Sequence, residues 1–254
     1  MDEDDLLADL ENLDELANVK NTLDKENTTN KPSYNSNWNM QNKKWPWEEN
    51  DFKPKKIDPE TFKKVGKSYT IAYSSAADID DDITNKFTKI AKALLLKGYI
   101  LRHRGGETDK LWNELISLEG MKYESYLPWK KFNTNIKTPL TFSTTKEVHE
   151  LVANYHKAYN KLKPGLKNIL ATEIYTCLSD TLNNPCDLII VYSPKGDETI
   201  TKNVDFKVLG NTSFVLRIGE ACGIPIINIA KENALTRLLE LVKNKETLTT
   251  TATE

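Results

Sequence analysis

The sequence lacks the features of a membrane or secreted protein. No apolar run approaches the roughly 20 residues that a membrane-spanning helix requires. The N-terminal segment MDEDDLLADL is acidic, whereas secretory and mitochondrial targeting segments carry positive charge. We therefore expect no membrane partner and a cytoplasmic location.

Cysteine and histidine are also scarce. The three cysteines are Cys177, Cys186 and Cys222, and the chain has three histidines. An odd number of cysteines, with no CxxC pair and no histidine at zinc-ligand spacing, argues against a disulfide framework and against a metal site. We expect buried, unreactive thiols, no bound metal and no cofactor.

The first quarter of the chain has too few aliphatic residues to form a core. Few aliphatic residues follow Leu23 before residue 60. The burial of apolar surface therefore cannot offset the loss of chain entropy on folding. Residues 1–50 hold 12 acidic residues and five lysines, a net charge of −7, which leaves +5 for the remainder of a chain of net charge −2. We expect residues 1–65 to be an acidic, largely disordered arm and residues 244–254 to be a disordered tail.

Two segments of the arm have the character of partner-binding peptides. Residues 4–19 place leucines at helical spacing on an acidic background, which predicts a short amphipathic helix. Residues 38–52 contain Trp38, Trp45 and Trp47 among Asn, Lys and Pro. We expect either segment to bind a protein partner or to dock on the domain, with a plain solubilising tail as the alternative for the helix.

Residues 66–243 alternate between strand and helix patterns and predict one domain. Predicted strands cover residues 69–73, 99–101, 122–127, 187–192 and 224–229. The first predicted helix begins after Asp82 and the second passes through Trp112. Further helices fill most of residues 144–182, with a break near Lys163, and cover residues 211–222 and 234–242. Asp82 is a candidate N-cap and Gly98 a candidate C-terminal glycine. Strands that alternate with helices predict an α/β, Rossmann-like parallel sheet with helices on both faces.

Three loops follow carboxyl ends of these strands, where parallel sheets bind ligands. They run from Tyr73 to Ser75, from Arg104 to Asp109 and from Gly210 to Arg217. These loops could bind a phosphate or a sugar through hydroxyl groups, glycine backbone, a helix N-terminus and two arginines. Each loop alone is more typical of a plain turn or a helix cap. The predicted ligand-binding residues are Ser74, Ser75, Arg104, Gly105, Gly106, Asp109, Gly210, Asn211, Thr212, Ser213 and Arg217.

Four segments carry a family resemblance: RGGETDKLW at 104–112, SYLPWKKF at 125–132, DLIIVYSPKG at 187–196 and GNTSFVLRIGEACGIPIINI at 210–229. In this order, over roughly residues 68–243, they resemble the SLOG superfamily. That group includes the DNA-processing protein A fold and the LOG proteins, and the segments are most similar to its phage-encoded members. The resemblance implies a nucleotide-binding Rossmann-like domain and, for a phage protein, the host cytoplasm.

The departures from that pattern bear on activity. Glu107 stands where a small residue is usual, and Asn211 and Ser213 replace two glycines of the last loop. The PGGxGTxxE motif that LOG proteins use for hydrolysis is absent, and no catalytic residue is assigned. We expect a phage accessory protein that binds a nucleotide or nucleotide-derived ligand. The alternatives are a hydrolase of N-glycosidic or phosphoester bonds, and a single-stranded DNA-binding or protein-interaction module that has lost its ligand.

The remaining candidates have simple structural interpretations. His103 could act as a general acid, but an exposed loop histidine is the preferred interpretation. His149 and His156 suggest a surface pair. Trp129 and Phe132 are expected to pack in the core, with stacking on a base as the alternative.

Overall fold

The structure is a computed structural model that describes residues 62, 69–75, 81–104, 122–129, 132, 144–156, 158–200 and 206–241. Several predictions lie outside these residues. They are the arm with its segments 4–19 and 38–52, the helix through Trp112, the tail 244–254, and the candidate ligand residues Gly105, Gly106 and Asp109.

Five parallel strands form the centre of the domain. Their bounds are β1 Thr70–Ser75, β2 Ile100–His103, β3 Tyr123–Ser125, β4 Leu188–Tyr192 and β5 Ile226–Asn228. The order across the sheet is β3-β2-β1-β4-β5, and every pair of neighbours is parallel. The predicted α/β, Rossmann-like parallel sheet is confirmed.

The described helices follow the predicted pattern with shifts at their ends, except for the short helix Phe206–Leu209, which was not predicted. Their bounds are α1 Asp81–Leu96, α2 Lys146–Tyr155, α3 Pro164–Leu178, α4 Phe206–Leu209, α5 Thr212–Cys222 and α6 at residues 234–241. Because α1 begins at Asp81, Asp82 lies within its first turn and is not the N-cap. Gly98 has φ +82°, which confirms it as the left-handed residue that ends a helix.

Two apolar layers hold the helices on opposite faces of the sheet. Alternate residues of β1 point to opposite faces, as the pleat requires. Ile71 and Tyr73 pack with α1 and α6, whereas Ala72 packs with α2, α3 and α5. All five residues of β4 are buried, as expected for a central strand with helices on both sides. In the described part of the chain, no helix is long and apolar enough to span a bilayer.

Gly219 allows α5 to lie close to the sheet. A Cβ atom at this position would lie 2.7 Å from Ile226 Cδ1 and 2.9 Å from Ile189 Cδ1. Ile189 is fully buried, so its side chain has little room to move away. The close approach of helix and strand therefore depends on the absence of a side chain at Gly219.

We predict that Gly219→Val lowers the free energy of unfolding by about 1–3 kcal/mol, the usual cost of overpacking a core. Urea denaturation measures the change. Glu220→Val is the matched control, because Glu220 is the next residue of α5 and is exposed. It introduces the same β-branched side chain without the steric conflict. Equal losses for the two variants would contradict the packing argument.

Candidate functional site

The strand order reverses between β1 and β4, and the crevice outside their carboxyl ends is where open parallel sheets bind ligands. Two predicted ligand residues meet there. Ser74 Oγ, at the end of β1, lies 3.1 Å from Thr212 Oγ1, in the first turn of α5, and both residues are fully buried. This hydrogen bond ties the start of α5 to the end of β1.

Ser75 differs from its neighbour in having no partner for its side chain. Its residue exposure is 6%, and Ser75 Oγ forms no hydrogen bond within the described part of the chain. A buried hydroxyl without a partner costs about 1–3 kcal/mol. Such a group at the end of a central strand is a hydrogen-bonding position that a ligand can fill.

The loop before α5 is shaped by Gly210, which has φ +49°. Glycine adopts this left-handed conformation without the cost that other residues incur. Ser213 Oγ donates to the carbonyl oxygen of Gly210 at 2.7 Å, and Asn211 makes no side-chain capping bond. The tight turn at residues 210–213 thus leads directly into α5, which begins at the carboxyl edge of the sheet.

Arg104 points towards α3 and forms an ion pair there. Arg104 Nε lies 3.0 Å from Glu173 Oε1, and the Glu173 side chain is fully buried. A buried carboxylate requires a nearby positive charge, so the Arg104 guanidinium compensates Glu173. Sequence analysis did not identify Glu173, because its position on α3 resembles any other helical glutamate until the tertiary contact is known.

Arg217 is buried and contacts the end of α2. Its Nη1 donates to the carbonyl oxygen of Tyr155 at 3.3 Å. The last carbonyls of a helix have no intrahelical partner, and arginine is suited to satisfy them. Arg217 therefore connects α5 to the C-terminus of α2, and its role in ligand binding stays a prediction.

His103 is buried, which corrects the expectation of an exposed loop histidine. It lies at the end of β2, with Nε2 2.9 Å from Ser125 Oγ. Burial lowers the pKa of His103 from 6.5 to about 4. The imidazole is therefore neutral at neutral pH and is a poor general acid there.

The loop after β4 is fixed by a residue that sequence analysis missed. Asn228 is fully buried at the end of β5. Its Nδ2 donates to Ser193 Oγ and to the carbonyl oxygen of Asp197, both at 2.8 Å, and its Oδ1 accepts from the Ala230 amide at 3.0 Å. The only signal in the sequence was a polar residue at the end of the apolar run IPIIN.

Glu198 extends this network to the surface. Its carboxylate lies 2.7 Å from both Lys231 Nζ and Arg237 Nη1. It also accepts a hydrogen bond from the backbone N–H of Asn228 at 2.8 Å. Burial opposes the charge, but the hydrogen bonds from Arg237 and Lys231 hold the pKa of Glu198 below its usual value. The loop that follows β4 is thus held against β5.

Other predicted candidates lie away from this edge. His156 is buried at the end of α2, so the expected surface pair with His149 is wrong for His156.

All three cysteines are free thiols and buried, as predicted, and burial raises the pKa of Cys186 and of Cys222 to about 12. Among the residues that the structure describes, no cluster of three or more metal-ligating side chains occurs.

Comparison with known proteins gives no match. No family model, no curated protein and no solved structure matches this chain. Family membership therefore stays a prediction.

We predict that Arg104→Leu lowers the free energy of unfolding by about 3–5 kcal/mol, because it leaves the Glu173 carboxylate buried without its cation. The double variant Arg104→Leu/Glu173→Leu should recover much of that loss, since an apolar pair of similar volume removes the uncompensated charge. Urea denaturation of both single variants and the double variant forms the double-mutant cycle. Additive losses would show that the two side chains are not coupled.

We predict that His103 makes the fold less stable in acid. Its pKa is lowered in the folded protein, so between pH 6.5 and about 4 the unfolded chain binds the proton more readily. The free energy of unfolding should fall with decreasing pH across this window, by up to about 1.4 kcal/mol per pH unit.

His103→Gln isolates this contribution, because the lowered pKa values of His149 and His156 remain in both proteins. Denaturation curves at several pH values give the two slopes. Identical slopes for the variant and the unmodified protein would contradict the prediction.

Proposed function

We propose that the carboxyl edge of the sheet, at the reversal between β1 and β4, binds a nucleotide or a nucleotide-derived small molecule. The observation that carries the proposal is Ser75, whose buried hydroxyl has no partner in the described part of the chain. It lies at the end of β1, beside a strand-order reversal of the kind that holds nucleotides in doubly wound sheets.

The start of α5 lies at the same edge, beside Ser74, whose side chain points to the face opposite to Ser75. The N-terminus of a helix carries partial positive charge and amide groups that favour an anion. The hydrogen bond between Ser74 and Thr212 holds that helix end beside the end of β1. A phosphate or a ribose hydroxyl at this point would meet hydroxyl groups from both elements.

The charges at the edge favour a ligand with few negative charges. Arg104 is compensated by Glu173, and Arg217 donates to a backbone carbonyl. If Arg104 moved from Glu173 to a phosphate, the buried Glu173 carboxylate would lose its compensating charge, and the folded protein would be destabilised. We therefore expect a nucleoside monophosphate to bind more tightly than a nucleoside triphosphate.

Binding is favoured over hydrolysis. The motif that LOG proteins use for hydrolysis is absent from the sequence, and His103, the candidate general acid, is buried with its pKa lowered to about 4, so it is not protonated at neutral pH. We retain, as part of the proposal, that the domain is a SLOG-type module of a phage accessory protein acting in the host cytoplasm. The parallel sheet is the fold that this interpretation requires, and the assignment to the family rests on the sequence segments that resemble it.

The test is calorimetric titration of the full chain with AMP, GMP, CMP, UMP and ATP. We predict that at least one monophosphate binds, and that Ser75→Ala weakens it by about 0.5–1.5 kcal/mol, the value of one neutral hydrogen bond. Since Ser75 Oγ has no protein partner in the described residues, the same variant should unfold at an unchanged or higher urea concentration.

Ser179→Ala is the matched control. It removes another buried serine hydroxyl, one that is hydrogen-bonded to Thr181 after the end of α3. It should lower stability and leave nucleotide affinity unchanged. Absence of binding for the whole panel, or binding only to single-stranded DNA with a steep salt dependence, would contradict the proposal.

A further inference from the structure

One aromatic side chain at the carboxyl edge is unusually exposed. Trp129 is 44% exposed, whereas its neighbour Phe132 is buried. The two rings meet edge to face, with centroids 4.5 Å apart and an interplanar angle of 77°. A single exposed apolar residue is common on protein surfaces, so exposure alone does not assign a role.

The indole of Trp129 is also held in place from below. It lies over Gly165, in the first turn of α3, where a Cβ atom would be 3.8 Å from Trp129 Cζ3. The ring therefore lies at van der Waals distance from the start of α3, while Phe132 contacts it from the side. Trp129 is therefore positioned by two partners and still presents much of its surface to solvent.

Trp129 follows a strand that is two places away from β1 in the sheet. Ser74 and Arg104 are at the same level, since β1 pairs with β2 as Ala72 with Arg102, and Trp129 comes four residues after the end of β3, the strand that pairs with β2. Neighbouring strands are about 4.8 Å apart, so β3 is about 10 Å from β1. The Ser75 side chain points to the face of the sheet opposite to Ser74, so a ligand that contacts Ser75 and this edge lies over the ends of the strands. An extended nucleotide that crosses the end of β2 would bring its base to β3.

We propose that Trp129 is the platform on which the nucleobase of the ligand stacks. This inference rests on the proposed nucleotide site and adds the orientation of the ligand, with its phosphate or sugar at β1 and its base at β3. Stacking between a base and an aromatic ring is tolerant of base identity, because every base has a π face. The platform thus recognises a base-bearing ligand and excludes a bare sugar phosphate from this contact.

The experiment compares two ligands and three forms of the full chain by calorimetry. The ligands are the tightest-binding monophosphate of the panel and ribose 5-phosphate, which lacks a base. The proteins are the unmodified chain, Trp129→Leu and Trp129→Phe. We predict that Trp129→Leu weakens the monophosphate by roughly fivefold or more, leaves ribose 5-phosphate unchanged, and that Trp129→Phe restores most of the affinity.

Tryptophan fluorescence gives a second readout that a purely structural role would not affect. A stacked base should quench the emission of Trp129, and the quenching should disappear in Trp129→Phe although binding persists. The stacking inference is overturned if Trp129→Leu leaves the monophosphate affinity unchanged, or if it weakens both ligands equally. The proposed site still stands in that case if Ser75→Ala weakens nucleotide binding. No binding of any monophosphate to the unmodified chain overturns the site and the inference together.

Discussion

The pairing of β1 with β4 is the constraint on which the domain depends. Five residue pairs, from Ile71 with Leu188 to Ser75 with Tyr192, join two strands that are distant in the sequence. Both strands are buried along their whole length, so the apolar groups of each face must be covered by helices. The chain runs outward from β1 through β2 to β3, and then crosses back to place β4 on the other side. That crossing places the strand-order reversal between β1 and β4, which is where open parallel sheets bind ligands.

Burial at this edge decides which polar groups remain for a ligand. A polar group removed from water needs a partner, and most of those described here have one within the protein. Ser74 pairs with Thr212, Arg104 with Glu173, and Asn228 with the loop after β4. These contacts fix the loops before any ligand arrives. Ser75 is the hydroxyl of this edge whose side chain lacks a partner in the described residues, and it therefore carries the functional argument.

Local patterns in the sequence predicted much of the fold. The unbroken run Leu188–Tyr192 identified a strand buried on both faces, and Gly98 marked the end of α1. The break near Lys163 correctly separated α2 from α3. Strand limits were less well predicted, because they depend on residue pairing such as that of His103 with Ser125, which exists only in the assembled sheet.

The candidate site was less predictable than the fold. Its position followed from the rule that parallel sheets bind ligands at their carboxyl ends, but the partners of its arginines did not. Glu173 and Tyr155 lie far from Arg104 and Arg217 in the sequence, and no local pattern links them. The burial of His103 was missed for the same reason, since its contacts with Ser125 and Tyr123 of β3 exist only in the folded domain.

The central claim is that the carboxyl edge at the β1–β4 reversal is the ligand site. Backbone amide NMR of the full chain during titration with a nucleoside monophosphate tests it most directly. The account predicts that the largest shift changes fall on Ser74, Ser75, Arg104 and residues 210–213, with little change at Asn184, which precedes β4 at the opposite edge. Shift changes centred on the opposite edge, or none at saturating nucleotide, would contradict it.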